Sequence, residues 1–216
     1  GWGAEGCPSE PTMLTLIPYL NGAQSGYGLA GGEDLNGDGI NDLVIGGPRL
    51  TVAGDSTGAA WLVSGAYLLT LTPEAVVDGA APDVLHPMIP TDQGLEGVWR
   101  VDGQDDDEWF GVSVALVRGL LPDGQIAVAI GAQYSGVAGV ARTGGVKFYA
   151  VYPGNAGINP NPVAVFAGET WADEGFIGRN LDSGITGDNH MLMIGGYEGQ
   201  GVGLDNGSAY VLRFSD

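Results

Sequence analysis

Residues Ser25–Pro48 read SGYGLAGGEDLNGDGINDLVIGGP, and Gly58–Val63 follow as GAAWLV. The stretch has four parts: an aromatic residue and a glycine (Tyr27-Gly28), a polar loop, an apolar run closing in glycine (Gly46), and a second apolar run opening in glycine (Gly58). The same order recurs twice. Trp109–Gln133 read WFGVSVALVRGLLPDGQIAVAIGAQ and lead to GGVKFY, while Gly175–Tyr197 read GFIGRNLDSGITGDNHMLMIGGY and lead to GSAYVL. Aligning Tyr27-Gly28 with Phe110-Gly111 and Ile177-Gly178 puts the strand-end glycines Gly46, Gly131 and Gly195 at intervals of 18, 20 and 17 residues. The next strands then open at Gly58, Gly144 and Gly207, after 12, 13 and 12 more. A period of tens of residues marks a repeat architecture.

LVIGG and VAIGA are apolar runs of the length and β-branched content of strands buried on both faces. A third kind of strand precedes each aromatic-glycine pair, at Met13–Ile17, Val98–Val101 and Val163–Phe166. Four short antiparallel strands per unit make a propeller blade. The expected fold is all-β, with three four-stranded blades in one repeat domain over residues 1–216. The first blade spans about 11–66, followed by a Pro-rich acidic insert over 67–96; the second spans about 97–152 and the third about 162–215.

These residues resemble the FG-GAP repeats of integrin α-subunit heads and of many secreted bacterial proteins. Phe110-Gly111 supplies the FG, and Ile45-Gly46-Gly47-Pro48 and Ile130-Gly131-Ala132 approximate the GAP. The resemblance extends from about Pro11 to Phe214. It implies blades around a central axis, calcium loops in some of them, and an extracellular or cell-surface setting. Propellers close with about four blades at the least, whereas three are present here, which leaves blade faces and strand edges to be covered. The expected partners are other copies of the chain, in a ring or a fibre, or a neighbouring extracellular protein. Adhesion to a protein or glycan ligand is the alternative.

Composition agrees with such a fold. Of 216 residues 44% are hydrophobic, enough for a packed core, and the 40 glycines and 12 prolines follow no Gly-X-Y period, so they punctuate short strands. Acidic residues number 26 against 7 basic ones, a formal net charge of -19. Nucleic acid and anionic membrane surfaces bind clustered Lys and Arg, so neither is an expected partner. No apolar run is long enough to span a bilayer and no basic-then-apolar leader opens at Gly1, so if the chain is secreted its mature form is expected here. Cys7 is the one cysteine and cannot form an internal disulfide; a free thiol, an interchain bridge and a lipid attachment point stay open. Asn206-Gly207-Ser208 is a glycosylation sequon, informative only for a eukaryotic source.

The strongest chemical motif is Asp34-Leu35-Asn36-Gly37-Asp38-Gly39-Ile40-Asn41-Asp42. Oxygen donors at positions 1, 3, 5 and 9, a carbonyl at 7 and a glycine at 6 make the hard-oxygen shell that calcium prefers. Asp34, Asn36, Asp38 and Asp42 are the candidate side-chain ligands and Ile40 the carbonyl ligand for Ca2+. Three carboxylates in one turn repel one another by about 4 kcal/mol per close pair at a surface-like effective dielectric, a cost that a divalent cation removes. An ordinary Asn/Asp/Gly turn is the plainer reading. An EF-hand does not fit, because position 12 is Ile45, inside a strand. The aligned loop GLLPDGQIA of the second repeat lacks the donors, and LDSGITGDNHM of the third places Asp182 and Asp188 at the wrong interval.

The run Asp105-Asp106-Asp107-Glu108 reads as a solvated loop tip, with a second cation site or an acidic contact as the sharper alternative. Gly26–Gly31 matches G-x-G-x-x-G without a βαβ context, and Gly54-Asp55-Ser56-Thr57-Gly58 matches a nucleophile elbow with a strand where its helix belongs. His86 and His190 are too few for a histidine-rich centre and lie in loop-like sequence. With no nucleophile-base pair and no open metal site, the chain is not expected to be an enzyme.

Overall fold

The computed structural model describes residues 17–18, 22–51, 56–70, 88–89, 97–136, 143–154, 157–167, 176–187, 189–196 and 207–215. They form three antiparallel sheets, one short α-helix, a 3-10 turn at Pro122–Gly124 and a small parallel pairing. That pairing joins β1 (Ile17–Pro18) to β5 (Met88–Ile89). Residues 13–16, the rest of the expected first leading strand, lie outside the described residues.

The first sheet runs in the order β2 (Gly28–Glu33), β3 (Asp42–Gly47), β4 (Ala59–Val63), β6 (Val98–Asp102). The second has β7 (Phe110–Val117), β8 (Ala127–Ala132), β9 (Gly145–Ala150) and β10 (Ala164–Ala167). The third has three strands among the described residues, β11 (Asn180–Thr186), β12 (Asn189–Gly196) and β13 (Ser208–Ser215). The stretch that leads each sequence unit therefore completes the sheet of the preceding unit: Val98 pairs with Val63 and Ala164 with Phe148. Sequence order places that stretch beside its own unit, but the open edges of β4 and β9 are what take its backbone groups. His190 lies within β12, not in a loop.

The repeat register also differs from the aligned aromatic-glycine pairs. Gly28 pairs with Gly46, whereas Ser113 pairs with Gly131 and Asn180 with Gly195. The counterpart of Phe110-Gly111 and Ile177-Gly178 is thus Ser25-Gly26, two residues before Gly28. Backbone angles agree: Gly26, Gly111 and Gly178 have φ of 89°, 90° and 86°, and the second residue before each, Gln24, Trp109 and Phe176, has φ of 53°, 55° and 41°. Tyr27, which the sequence aligned with Phe110 and Ile177, is half exposed while those two are buried.

Each apolar residue before the glycine seats against the preceding sheet. Phe110 bridges Gly58 and Ile177 bridges Gly144, both in parallel sense. One apolar core lies between the first and second sheets, with Val44, Leu62, Phe110, Val128 and Tyr149 among its members. A second lies between the second and third sheets and includes Ala129, Phe148, Ile177, Leu192 and Ile194. A third covers the outer face of the first sheet, where Ala23, Leu50, Tyr67 and Leu68 pack over Ile45, Trp61 and Val63. Tyr67 and Leu68 come from α1 (Gly65–Thr70), a helical turn at the head of the insert. Ser64 caps it by accepting the Ala66 amide at 3.2 Å. The innermost strands β2, β7 and β11 lie side by side at the hub.

Candidate functional site

The acidic loop connects β2 to β3. A register shift between Gly31 and Glu33 bends the entering strand, and Gly37 (φ 78°) and Gly39 (φ 88°) take the left-handed conformations that let nine residues close the turn. Asp34 Oδ1 accepts the amides of Gly37 (2.7 Å) and Asp38 (3.1 Å), and its Oδ2 accepts that of Gly39 (2.8 Å). Asn36 Oδ1 accepts the Asp38 amide (2.9 Å), its Nδ2 donates to Asp38 Oδ2 (3.1 Å), and Asp38 Oδ1 accepts the Ile40 amide (2.8 Å).

Asp42 is buried, and it anchors the loop from below. Its Oδ2 accepts the amides of Leu35 (2.8 Å) and Asn36 (3.2 Å), and its Oδ1 accepts that of Gly65 at the head of α1 (2.9 Å). Burial raises the Asp42 pKa above the usual carboxylate value; its three amide donors pull the other way and the negative charge of Asp38 adds to the rise. The Ser64 hydroxyl lies 3.4 Å from Asp38 Oδ2, and the Gly154 amide, beyond β9 in the second sheet, donates to the Asn36 carbonyl at 2.6 Å. The loop therefore touches the helix on its own sheet and the neighbouring sheet as well.

The five candidate ligand residues share one turn, as the spacing requires, but the four polar side chains among them are turned mainly to backbone amides and, for Asn36 and Asp38, to each other. Among the described residues no three acidic, histidine or cysteine side chains converge on a point that would hold a metal ion. The donor chemistry, three carboxylates, one amide oxygen and one carbonyl, fits a hard cation in kind. Asp34 and Asp38 lie on the solvent side of the loop, where an ion would arrive, whereas Asn36 and Asp42 are buried beneath it.

The second acidic group divides. Asp105 and Asp106 are exposed, as a loop tip should be, but Glu108 is wholly buried. Its Oε1 meets Lys147 Nζ at 2.5 Å and its Oε2 accepts the amides of Gln104 (2.7 Å) and Asp105 (3.1 Å). The pair ties the approach to β7 onto β9. Tyr149 lies nearby, and burial first, then the Glu108 charge, push its hydroxyl pKa far up. The partner of Glu108 stands 39 positions along the chain, so only the buried Lys in a strand of otherwise apolar residues (GVKFYA) hinted at it. On the same side Trp109, Tyr134 and Phe176 stack edge to face, with 5.0 Å between successive ring centroids, and Arg49 caps Trp109 at 4.3 Å.

At the hub a cavity of about 330 Å³ is lined by Tyr27, Leu29, Val112, Val114, Arg179 and Leu181, among others. Gly26–Gly31, the dinucleotide-like string, runs through the turn into the hairpin strand β2 and has no helix after it. Of the elbow-like string, residues 54 and 55 lie outside the described residues, as does His86.

The turn, the acidic loop and the two following strands of the first sheet are together the segment that a family model recognises. Residues 25–63 match the FG-GAP repeat. The chain carries an FG-GAP repeat. The match opens at Ser25, in the turn before β2, and closes at Val63, the end of β4. No curated protein matches the chain. Among the described residues no helix is long and apolar enough to cross a membrane.

Proposed function

We propose that this chain is an extracellular, calcium-braced structural module that works by docking other protein surfaces, as a unit of a self-associating or larger surface assembly. FG-GAP repeats are typical of extracellular domains, and the match over residues 25–63 supports that setting. The observation that carries the reading is the position of the Asp34–Asp42 loop, which bonds to α1 through Gly65 and to the second sheet through Gly154. Asp34, Asn36, Asp38, Asp42 and the Ile40 carbonyl would hold the ion. Calcium supplies positive charge that offsets the mutual repulsion of three carboxylates and fixes their turn. The chain's own residues do the rest: Asp42 holds the loop to the helix, and Asn36 holds it to the neighbouring sheet. Stiffening there stabilises a junction between blades, which is a mechanical role.

Thermal unfolding in calcium and in chelator tests this. Calcium at a hundredfold excess over its dissociation constant stabilises by about 2.7 kcal/mol, so the melt should rise by several degrees, and Asp38→Ala should abolish the difference. Equal melts in calcium and chelator would remove calcium from the account.

A second reading, adhesion to a protein or glycan, draws on the hub cavity, where the half-exposed Tyr27 ring offers a stacking surface. Binding to a glycan or protein array that is lost in Tyr27→Ala would favour it.

A further inference from the structure

The sheets meet through equivalent positions. Two residues before each strand-end glycine stands a cross-strand pair, Val44 with Leu62, Ala129 with Phe148, and Met193 with Val211. The first pair is buried against the second sheet and the second pair against the third sheet. The third pair faces outward, with Met193 40% and Val211 55% exposed, and Ala209 beside them is exposed as well. Glycine tells the same story. A methyl group on Gly46 or Gly131 would collide with the backbone of Gly111 or Gly178, whereas one on Gly195 would meet only Asn180 of its own sheet, at 3.5 Å.

The opposite end of the array is closed. The outer face of the first sheet is sealed by its own chain, with Ala59, Trp61 and Val63 fully buried under Ala23, Leu50, Tyr67 and Leu68. Ser25 stands there in place of Phe110 or Ile177, so no apolar residue awaits a preceding sheet. A head-to-tail contact, which generates rings or filaments, would have to unseal Trp61. Terminal units with a covered outer face end a repeat array.

We propose that the open face of the third sheet docks on the same face of a second copy, giving a two-fold dimer. The proposal rests on the reading that the chain acts by docking protein surfaces. An isologous contact needs a self-complementary patch, and the charges on this face supply one. Asp182 on β11 shares the Met193–Val211 row, and Arg213 on β13 lies on the same face beside Met191. A two-fold axis along β12 lays each β11 over the other copy's β13, bringing Asp182 toward the second copy's Arg213 twice. The balance matters in a chain of net charge -19, because most of its surface repels another copy.

Sedimentation equilibrium of the full chain tests the proposal. A dimer of twice 22.1 kDa is expected, tightening with added salt as the overall repulsion is screened. Val211→Asp with Met193→Asp should leave a folded monomer with the wild-type far-UV signature, and its melt should fall and lose its dependence on protein concentration, because the stabilisation by the second copy is gone and Asp182 faces two like charges across the strands. Asp182→Arg or Arg213→Asp alone should weaken association about tenfold, and the two together should restore it. A chain monomeric at every concentration overturns the proposal, and so does a species larger than a dimer. A dimer that survives Val211→Asp with Met193→Asp also overturns it, since the contact would then lie on the β13 edge or elsewhere. None of these outcomes touches calcium binding, which the melt in chelator reads separately.

Discussion

Gly131 at the end of β8 and Gly178 at the head of the third sheet approach so closely that a methyl group on Gly131 would fall inside the Gly178 carbonyl. Gly46 and Gly111 repeat the relationship between the first two sheets. The atoms in the way are backbone, which cannot rotate aside, so Gly131→Ala must separate two sheets. We predict a loss of about 1–3 kcal/mol. Gly195→Ala, at the equivalent but open position, should change stability by less than about 0.5 kcal/mol. Urea unfolding of the two variants in parallel checks the contrast.

Glu108 and Lys147 form an ion pair that solvent does not reach. Removing one partner of such a pair leaves a buried charge and costs about 3–5 kcal/mol, whereas replacing both costs much less. Lys147→Met should therefore be severe, and Glu108→Gln with Lys147→Met should recover much of the loss, since glutamine still accepts the amides of Gln104 and Asp105. A double-mutant cycle in denaturant measures the coupling; additive losses would contradict it.

Arg118 and Glu33 make the opposite case. They join the residue after β7 to the end of β2 through a two-pronged contact, but both side chains are a third or more exposed. Solvent screening leaves such pairs with about 0–1 kcal/mol. Arg118→Met is predicted to fall in that range and to lose its effect in high salt.

Gln24 holds a left-handed backbone angle with its side chain exposed, whereas Trp109 and Phe176, at the same place in the other turns, offset the same strain by ring packing. A β-branched residue at position 24 should cost about 1–2 kcal/mol. Glycine there should be neutral or slightly stabilising. Thermal melts of Gln24→Val and Gln24→Gly distinguish the two.

The repeats were legible because glycine is required wherever two sheets touch through backbone, and that requirement leaves a periodic trace. The register of the first turn was not, since Tyr27-Gly28 imitates Phe110-Gly111 in letters while Ser25-Gly26 matches it in backbone angle. The destination of Val98–Asp102 was hidden for a similar reason: a strand's pattern shows that it pairs, but not with which edge. The acidic loop could be read because its donors lie within nine residues. Its ties to Gly65 and Gly154 run through backbone amides, which every residue but proline possesses and no sequence displays. Glu108 passed for part of a solvated run because its partner lies far along the chain.

Calorimetric titration of calcium into the metal-free chain, beside Asp38→Ala and Asp34→Asn, reads occupancy of the Asp34–Asp42 loop itself. One site per chain is expected, with heat and affinity lost in both variants and no change in the far-UV signature of the sheets. Absence of a saturable calcium site in the wild-type chain, or equal binding by Asp38→Ala, would contradict a calcium-braced loop.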